Sequence, residues 1–157
     1  MRITRAFCLL NAVLAISSGA ISASGQGMDG KLNAFYQDYL DTQFRHQPFE
    51  ATQLGDHRFD SRLDDLSREA IEARRARTRA ALEALPRQVE FARLSRASQI
   101  DYEIFRQDLS RSIWLAENTH PFEEDPRVYT EYLSDSVYLL LAQSTLPKET
   151  NIANCLA

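Results

Sequence analysis

Cysteine, glycine and proline are scarce in this 157-residue sequence, which has two, five and five of them respectively. Two cysteines cannot form the disulfide network that stabilises many small secreted domains. Few glycines and prolines, in a chain rich in alanine, leucine, arginine and glutamate, favour helices over a turn-rich β fold. Beyond the N-terminal region no apolar run is long enough to span a bilayer, so we expect no stable membrane anchor.

The first 25 residues have the pattern of a secretory signal peptide. Arg2 and Arg5 precede an apolar run, Ala6 to Ile16, and a small-residue stretch follows it. A basic start, a short apolar segment and small residues near the cleavage point define such a signal. We expect cleavage near Ala23 to Gly25, and a periplasmic or secreted protein. Cys8 lies inside the apolar run and not in a lipoprotein box, so no lipid anchor is predicted.

The charge balance argues against two classes of partner. The chain carries 18 basic and 22 acidic side chains, a formal net charge of −4, and the predicted signal contains two arginines and no acid. The mature chain is therefore more acidic still. A nucleic-acid binder or a protein that docks on an anionic membrane needs a basic surface. We predict neither nucleic-acid binding nor membrane docking.

Hydrophobic spacing predicts a first helix after a flexible lead-in at residues 26–30. Asp29 is placed to cap this helix and Pro48 to end it. Pro48 to Leu54 then reads as one or two further helical turns, with Gly55 in the left-handed conformation. The first helix has one apolar face with the period of an α-helix: Leu32, Phe35, Tyr36, Tyr39, Leu40 and Phe44.

The next segment, Asp56 to Asp65, lacks helical periodicity, and its charges alternate in sign. We interpret it as a solvated loop with local ion pairs, from which Phe59 and Leu63 fold back onto the helices. The candidate metal ligands in this segment are Asp56, His57 and Asp60, which could bind a metal weakly. One histidine and two aspartates are a poor metal signal, and a structural role is the preferred reading.

Two long helices are predicted after this loop. The first is capped by Ser67 and closed by Pro86, and its arginine-rich side is read as a solvated face. The second runs from Leu94 to Asn118, with Ser95 or Ser98 as its cap. Its predicted buried stripe is Ala97, Ile100, Ile104, Leu109, Ile113 and Ala116, widened by Phe105 and Trp114. Antiparallel packing of this helix on an earlier one would form a bundle core.

The C-terminal region predicts two more helices. Ser134 to Ala142 is apolar nearly all round, which is typical of a buried helix. Thr145 to Glu149 then opens a helix whose apolar face includes Ile152, Ala153, Cys155 and Leu156. Cys155 reads as a small apolar residue on that face, with pairing to another chain as the alternative. The face is unfinished at Ala157, which suggests an incomplete domain.

No catalytic, cofactor-binding or metal-binding residue is predicted in the chain. His46, His57 and His120 do not fall in a tight metal-ligand spacing, and His120 precedes a proline at a helix end. The acidic group Glu123-Glu124-Asp125 lacks the spaced ligands and glycine of a calcium loop. No nucleophile motif or phosphate-binding glycine loop is present.

The order of several short motifs resembles the N-terminal region of the bacterial DUF885 family. The main one is Pro48-Phe49-Glu50-Ala51-Thr52-Gln53-Leu54-Gly55-Asp56-His57, followed by Asp60 and Leu63. Phe35-Tyr36 and Tyr39-Leu40 precede it. Leu94-Ser95, Ile100-Asp101-Tyr102, Pro126 with Tyr129, the Val137–Ala142 run and Leu146-Pro147-Lys148-Glu149 follow in the same order. The resemblance covers nearly all of Leu32 to Ala157.

The resemblance implies an all-α, bundle-like N-terminal portion, residues 31–157, of a larger and mostly helical exported protein. Family members look like zinc metallopeptidases with a His-Glu-x-x-His-type motif towards their C-terminal half. That motif would supply two zinc ligands and a general base, and no position here matches it. We therefore expect an inactive fragment or remnant of a peptidase-like hydrolase, with zinc and a peptide substrate implied only for a full-length member. The alternative is a self-sufficient, non-catalytic exported helical module that binds a partner.

Overall fold

The structure, a computed structural model, describes the backbone of residues 19–157 and the side chains from residue 27 onward. Every regular element in this range is helical, which confirms the predicted all-α class. The helices are α1 (Gly19–His46), α2 (Pro48–Gln53), α3 (Arg68–Gln88), α4 (Arg96–Asn118), α5 (Pro121–Glu124), α6 (Arg127–Tyr138) and α7 (Lys148–Cys155). Short 3₁₀ turns span His57–Phe59 and Phe91–Arg93, and a π-helical turn, Leu139–Gln143, continues α6.

Most of the predicted signal peptide, residues 1–18, lies outside the described residues, so that assignment stays a prediction. None of the helices within residues 19–157 combines the length and hydrophobicity that crossing a membrane requires.

The main core lies where α1, α3 and α4 meet. Its fully packed members are Met28, Leu32, Leu85, Val89, Leu94 and Tyr102. Phe105 of α4 packs edge-on against Phe35, Tyr36 and Tyr39 of α1, with ring centroids 4.8 to 6.2 Å apart. The predicted apolar face of α1 is thus confirmed, apart from Leu40, which is 42% exposed.

The N-terminal boundary of α1 differs from the prediction. Residues 26–30 continue the helix instead of forming a flexible lead-in. Met28 is buried in the core, and Asp29 accepts a hydrogen bond from the Ser95 backbone N–H at 3.0 Å instead of capping α1. These tertiary contacts outweigh the roughly 1 kcal/mol that each helical glycine costs relative to alanine. The bond also lowers the pKa of Asp29.

Helix α3 has the predicted cap but a later end. The Ser67 hydroxyl accepts from the Ala70 N–H at 3.2 Å. Pro86 does not close the helix, which runs two residues further to Gln88. Leu85 and Val89 flank the proline and are both buried in the core, and this burial holds the last turn helical despite the missing N–H.

Helix α4 is antiparallel to α3 and is capped by Ser95, whose hydroxyl accepts from the Ser98 N–H at 3.3 Å. Its buried face differs from the predicted stripe. Tyr102 and Leu109 are buried, whereas Ile100, Ile104 and Trp114 are 48%, 63% and 59% exposed. The predicted stripe combined two neighbouring helical faces, and the core contacts the one that carries Tyr102 and Phe105.

The sequence predicts that the arginine-rich side of α3 is a solvated face. In the structure, part of this side contacts α4. Arg75 donates to the Ala116 backbone carbonyl and Arg79 pairs with Glu117, both near the end of α4. The Arg75 side chain is only 18% exposed, and its Nε atom is buried without a hydrogen-bond partner. Arg75 thus satisfies one backbone carbonyl in the last turn of α4, where positive charge is favourable.

Candidate functional site

The segment Pro48–Ser67, here called the connector, links α1 to α3 in the chain. In the fold it lies between the three-helix core and the C-terminal helices α6 and α7. Pro48 occupies the first turn of α2 and is buried, and Ala51 is fully buried. Gly55 has φ of 85°, a left-handed conformation that glycine adopts without steric penalty. The chain then turns back, and the Asp56 N–H donates to the Ala51 carbonyl at 2.8 Å. The predicted helical turn and its glycine end are both confirmed.

The centre of the connector is the buried carboxylate of Asp60, whose side chain is 1% exposed. It accepts hydrogen bonds from the Thr52 hydroxyl at 2.8 Å and from Nδ1 of His57 at 2.9 Å. The Thr52 hydroxyl also lies 3.2 Å from the Pro48 carbonyl. Since it has one proton, the shorter contact to a charged acceptor is the stronger bond. The prediction of a solvated loop is therefore wrong at Asp60, because its side chain is buried. The two donors compensate the carboxylate for its loss of water.

A second set of bonds ties the connector to α6. The Asp64 carboxylate accepts from the Phe49 N–H at 3.0 Å, and the Asp64 N–H donates to the Tyr132 hydroxyl at 2.7 Å. The rings of Phe49 and Tyr132 pack with centroids 4.8 Å apart. Burial raises the pKa of Asp64, and burial likewise raises the pKa of Tyr132 to about 12. Asp64 and Tyr132 are 68 residues apart, so no local sequence pattern could predict this contact.

The outer side of the connector is held by Arg58, which pairs with Asp56 at 2.7 Å and with Asp41 of α1 at 2.7 Å. The hydrogen bond from Arg58 lowers the pKa of Asp56. The predicted local ion pairs are confirmed here. The predicted packing of Leu63 onto the helices is wrong, since Leu63 is 55% exposed.

An apolar groove of about 270 Å³ lies between the connector and the C-terminal helices. This volume falls just below the roughly 300–1,000 Å³ typical of small-molecule pockets. The polar members of its lining include Asp60, Arg62 and Asn154. The apolar members include Phe49, Leu63, Leu133, Val137, Leu140 and Cys155.

One wall of the groove continues onto exposed surface. Tyr129, Leu133, Val137 and Leu141 lie four residues apart along α6 and its π turn, and we call them the α6 stripe. They are 43%, 57%, 46% and 47% exposed. The prediction that Ser134 to Ala142 forms a buried helix is therefore wrong, because Leu140 (6% exposed) is its one buried residue. Ile152 and Leu156 of the C-terminal region are also exposed.

The described residues do not bring three histidine, cysteine, aspartate or glutamate side chains together in a group suited to a metal ion. His57 and Asp60 supply only two such groups, and they bind each other. His46 and His120 are exposed and lie on other segments. These residues do not fit the three-ligand zinc site of a metallopeptidase.

The fold and the connector define an all-helical protein in which a Pro-to-Gly helical turn links a three-helix core to a C-terminal helical pair. Residues 48–157 match the model of the family described as bacterial protein of unknown function, DUF885. The match covers more than half of the chain, and the chain belongs to this family. It begins at Pro48, so Leu32 to Gln47, where we also noted resemblance, lie outside the matched range. No curated protein and no solved structure matches the chain.

Proposed function

We propose that this chain is the N-terminal helical region of an exported, zinc-dependent, peptidase-like hydrolase, and that the catalytic residues belong to another part of the polypeptide. Family membership supports the proposal, because longer members resemble zinc metallopeptidases with a His-Glu-x-x-His motif towards the C-terminal half. The chain supplies helical support on this reading and does not hydrolyse peptides by itself.

The observation that carries the proposal is the half-covered helix α6. A helix face that carries several large apolar side chains normally packs against another element. Here one side packs on the connector, through Leu140 and Tyr132, and the α6 stripe faces outward. Burying a leucine or valine side chain fully contributes about 1.5–3 kcal/mol. The stripe side chains are already about half buried, so covering the rest of them would contribute on the order of a few kcal/mol in total.

The connector suits a supporting role because its conformation is held by internal hydrogen bonds and by contacts with two helices. Asp60 binds Thr52 and His57 internally, Arg58 fastens it to α1, and Tyr132 fastens it to α6. Supporting elements that are held in this way can orient a neighbouring catalytic region without contributing a reactive group.

The gene itself tests the proposal. Sequencing the reading frame beyond the codon for Ala157 should reveal a His-Glu-x-x-His motif several hundred codons downstream. A stop codon with no such motif after it would overturn the proposal and leave a non-catalytic chain.

The second candidate is a self-sufficient exported helical module that binds a partner. It is favoured by the closed core around Leu32, Leu85 and Tyr102, which needs no further chain to bury it. Thermal unfolding separates the two candidates. A cooperative, monomeric transition favours the self-sufficient module, and a loosely packed state that binds the dye ANS favours the region of a larger protein.

A further inference from the structure

The groove between the connector and α6 has the size of an anchor pocket and not of a drug-sized ligand site. Its volume is about 270 Å³, and its lining is mainly apolar, with Phe49 on one wall and Val137 on the other. A pocket at the lower edge of the small-molecule range suits one or two large side chains of a macromolecular partner.

The length and spacing of the α6 stripe indicate which kind of partner could pack against it. From Tyr129 to Leu141 it follows the helix for about 18 Å, which equals the rise of roughly 12 helical residues. Exposed side chains spaced four apart form a ridge that fits the groove of a second helix. A peptide that binds by strand addition would instead need a sheet edge, and residues 19–157 form no strand. The stripe therefore fits an amphipathic helix of three to four turns.

The groove lining contains two charged residues, Asp60 and Arg62. Asp60 is buried and already bonded to Thr52 and His57, so the exposed Arg62 is the charge that a partner helix would meet. Arg62 lines the groove, and its guanidinium carbon lies 6.0 Å from the centre of the Phe59 ring. Among the described residues no carboxylate pairs with Arg62, whereas the neighbouring Arg58 has two partners, Asp41 and Asp56. A partner that covers the groove would desolvate this cation, which favours a partner with a carboxylate at that point.

We propose that the groove and the α6 stripe seat an amphipathic helix whose apolar face is flanked by an acidic residue that pairs with Arg62. This assignment rests on the proposed function, in which such a helix comes from the catalytic portion of the protein. It adds the chemistry of the contact: leucine-like side chains at helical spacing, and one carboxylate beside them.

Binding of designed helical peptides to the full chain tests the assignment. The probes are fluorescein-labelled 14-residue peptides with leucines at i, i+3, i+4, i+7 spacing and one glutamate, moved in turn through each position flanking the leucines. A matched series carries lysine in place of glutamate. We expect one register in which glutamate binds roughly two- to tenfold more tightly than lysine, the range of an exposed to partly buried ion pair. Arg62→Glu should reverse that preference.

Two variants complete the design. Arg111→Glu changes an exposed arginine on α4, outside the groove lining, and should leave the preference intact. Val137→Lys should abolish binding in every register. Three results overturn the assignment: absence of binding in all registers, binding without any dependence on the peptide's charge, or self-association of the chain that competes with the peptides. None of these bears on a downstream His-Glu-x-x-His motif, so failure of the proposed function is seen separately.

Discussion

Nδ1 of His57 lies at hydrogen-bond distance, 2.9 Å, from the buried carboxylate of Asp60, three residues later. The pair stands at the centre of the connector, the segment with which the family match begins. The sequence favoured a structural role for this histidine over that of a weak metal ligand, and in the structure it is a hydrogen-bond partner of Asp60. The consequences for stability can be measured.

Asp60→Asn should lower the free energy of unfolding by about 1–3 kcal/mol, because an amide cannot accept from both Thr52 and His57 as a carboxylate does. Urea denaturation followed by circular dichroism measures the change. Asp108→Asn is the matched control, since the Asp108 side chain is 63% exposed and its cationic neighbour lies 3.8 Å away. Equal effects of the two substitutions would show that the Asp60 bonds do not stabilise the fold.

The neutral His57 ring should carry its proton on Nδ1. An ionised carboxylate is only an acceptor, so the nitrogen that faces it must be the donor. Nitrogen-15 NMR at pH 8 distinguishes the two neutral tautomers, and His46 and His120, both exposed, serve as internal references. Observation of the Nε2–H tautomer at His57 would mean that the bond to Asp60 is absent in solution.

Tyr132→Phe should destabilise the chain by about 1–3 kcal/mol while leaving the packing on Phe49 in place. The lost hydroxyl is the acceptor of the Asp64 N–H, which would remain unsatisfied in a half-buried setting. Tyr138→Phe removes the same atom from a residue that is 56% exposed and should change the stability by less than about 0.5 kcal/mol. Thermal or urea unfolding measures both changes in stability. Equal losses in both variants would show that the Tyr132 hydroxyl does not stabilise the fold.

Asp64 should make stability fall as the pH rises from below 4. Burial raises its pKa in the folded state, so the folded chain holds this proton at pH values where the unfolded chain has released it. The contribution of Asp64 is most favourable below the unfolded-state pKa of about 3.9 and declines until the pH exceeds the raised, folded-state value. The difference in unfolding free energy between the wild type and Asp64→Asn should follow this course. A difference that rises with pH over the same interval would contradict it.

Local sequence signals predicted the elements of this fold well, and their partners less well. Pro48, Gly55, Ser67 and Ser95 act at helix ends where the backbone conformation depends on the residue itself, so these assignments were confirmed. By contrast, helical spacing on α4 could not show which of two adjacent apolar faces meets the core.

The candidate site depended still more on contacts between distant residues. The bond between Asp64 and Tyr132 links positions 68 apart, and Asp60 lines a groove that the connector forms with the C-terminal helices. Alternating charges in the connector predicted a solvated loop because the pattern contains no information about these distant contacts. The exposed α6 stripe was missed for the same reason, since apolar composition predicts burial but does not show which side of a helix contacts the rest of the chain.

Peptide hydrolysis by the purified chain is the most direct test of the central claim, that this region carries no catalysis of its own. The assay compares mixed peptide substrates with and without added zinc. We expect no turnover above the buffer rate under either condition. Zinc-dependent hydrolysis that survives repurification and stays with the protein would contradict the account.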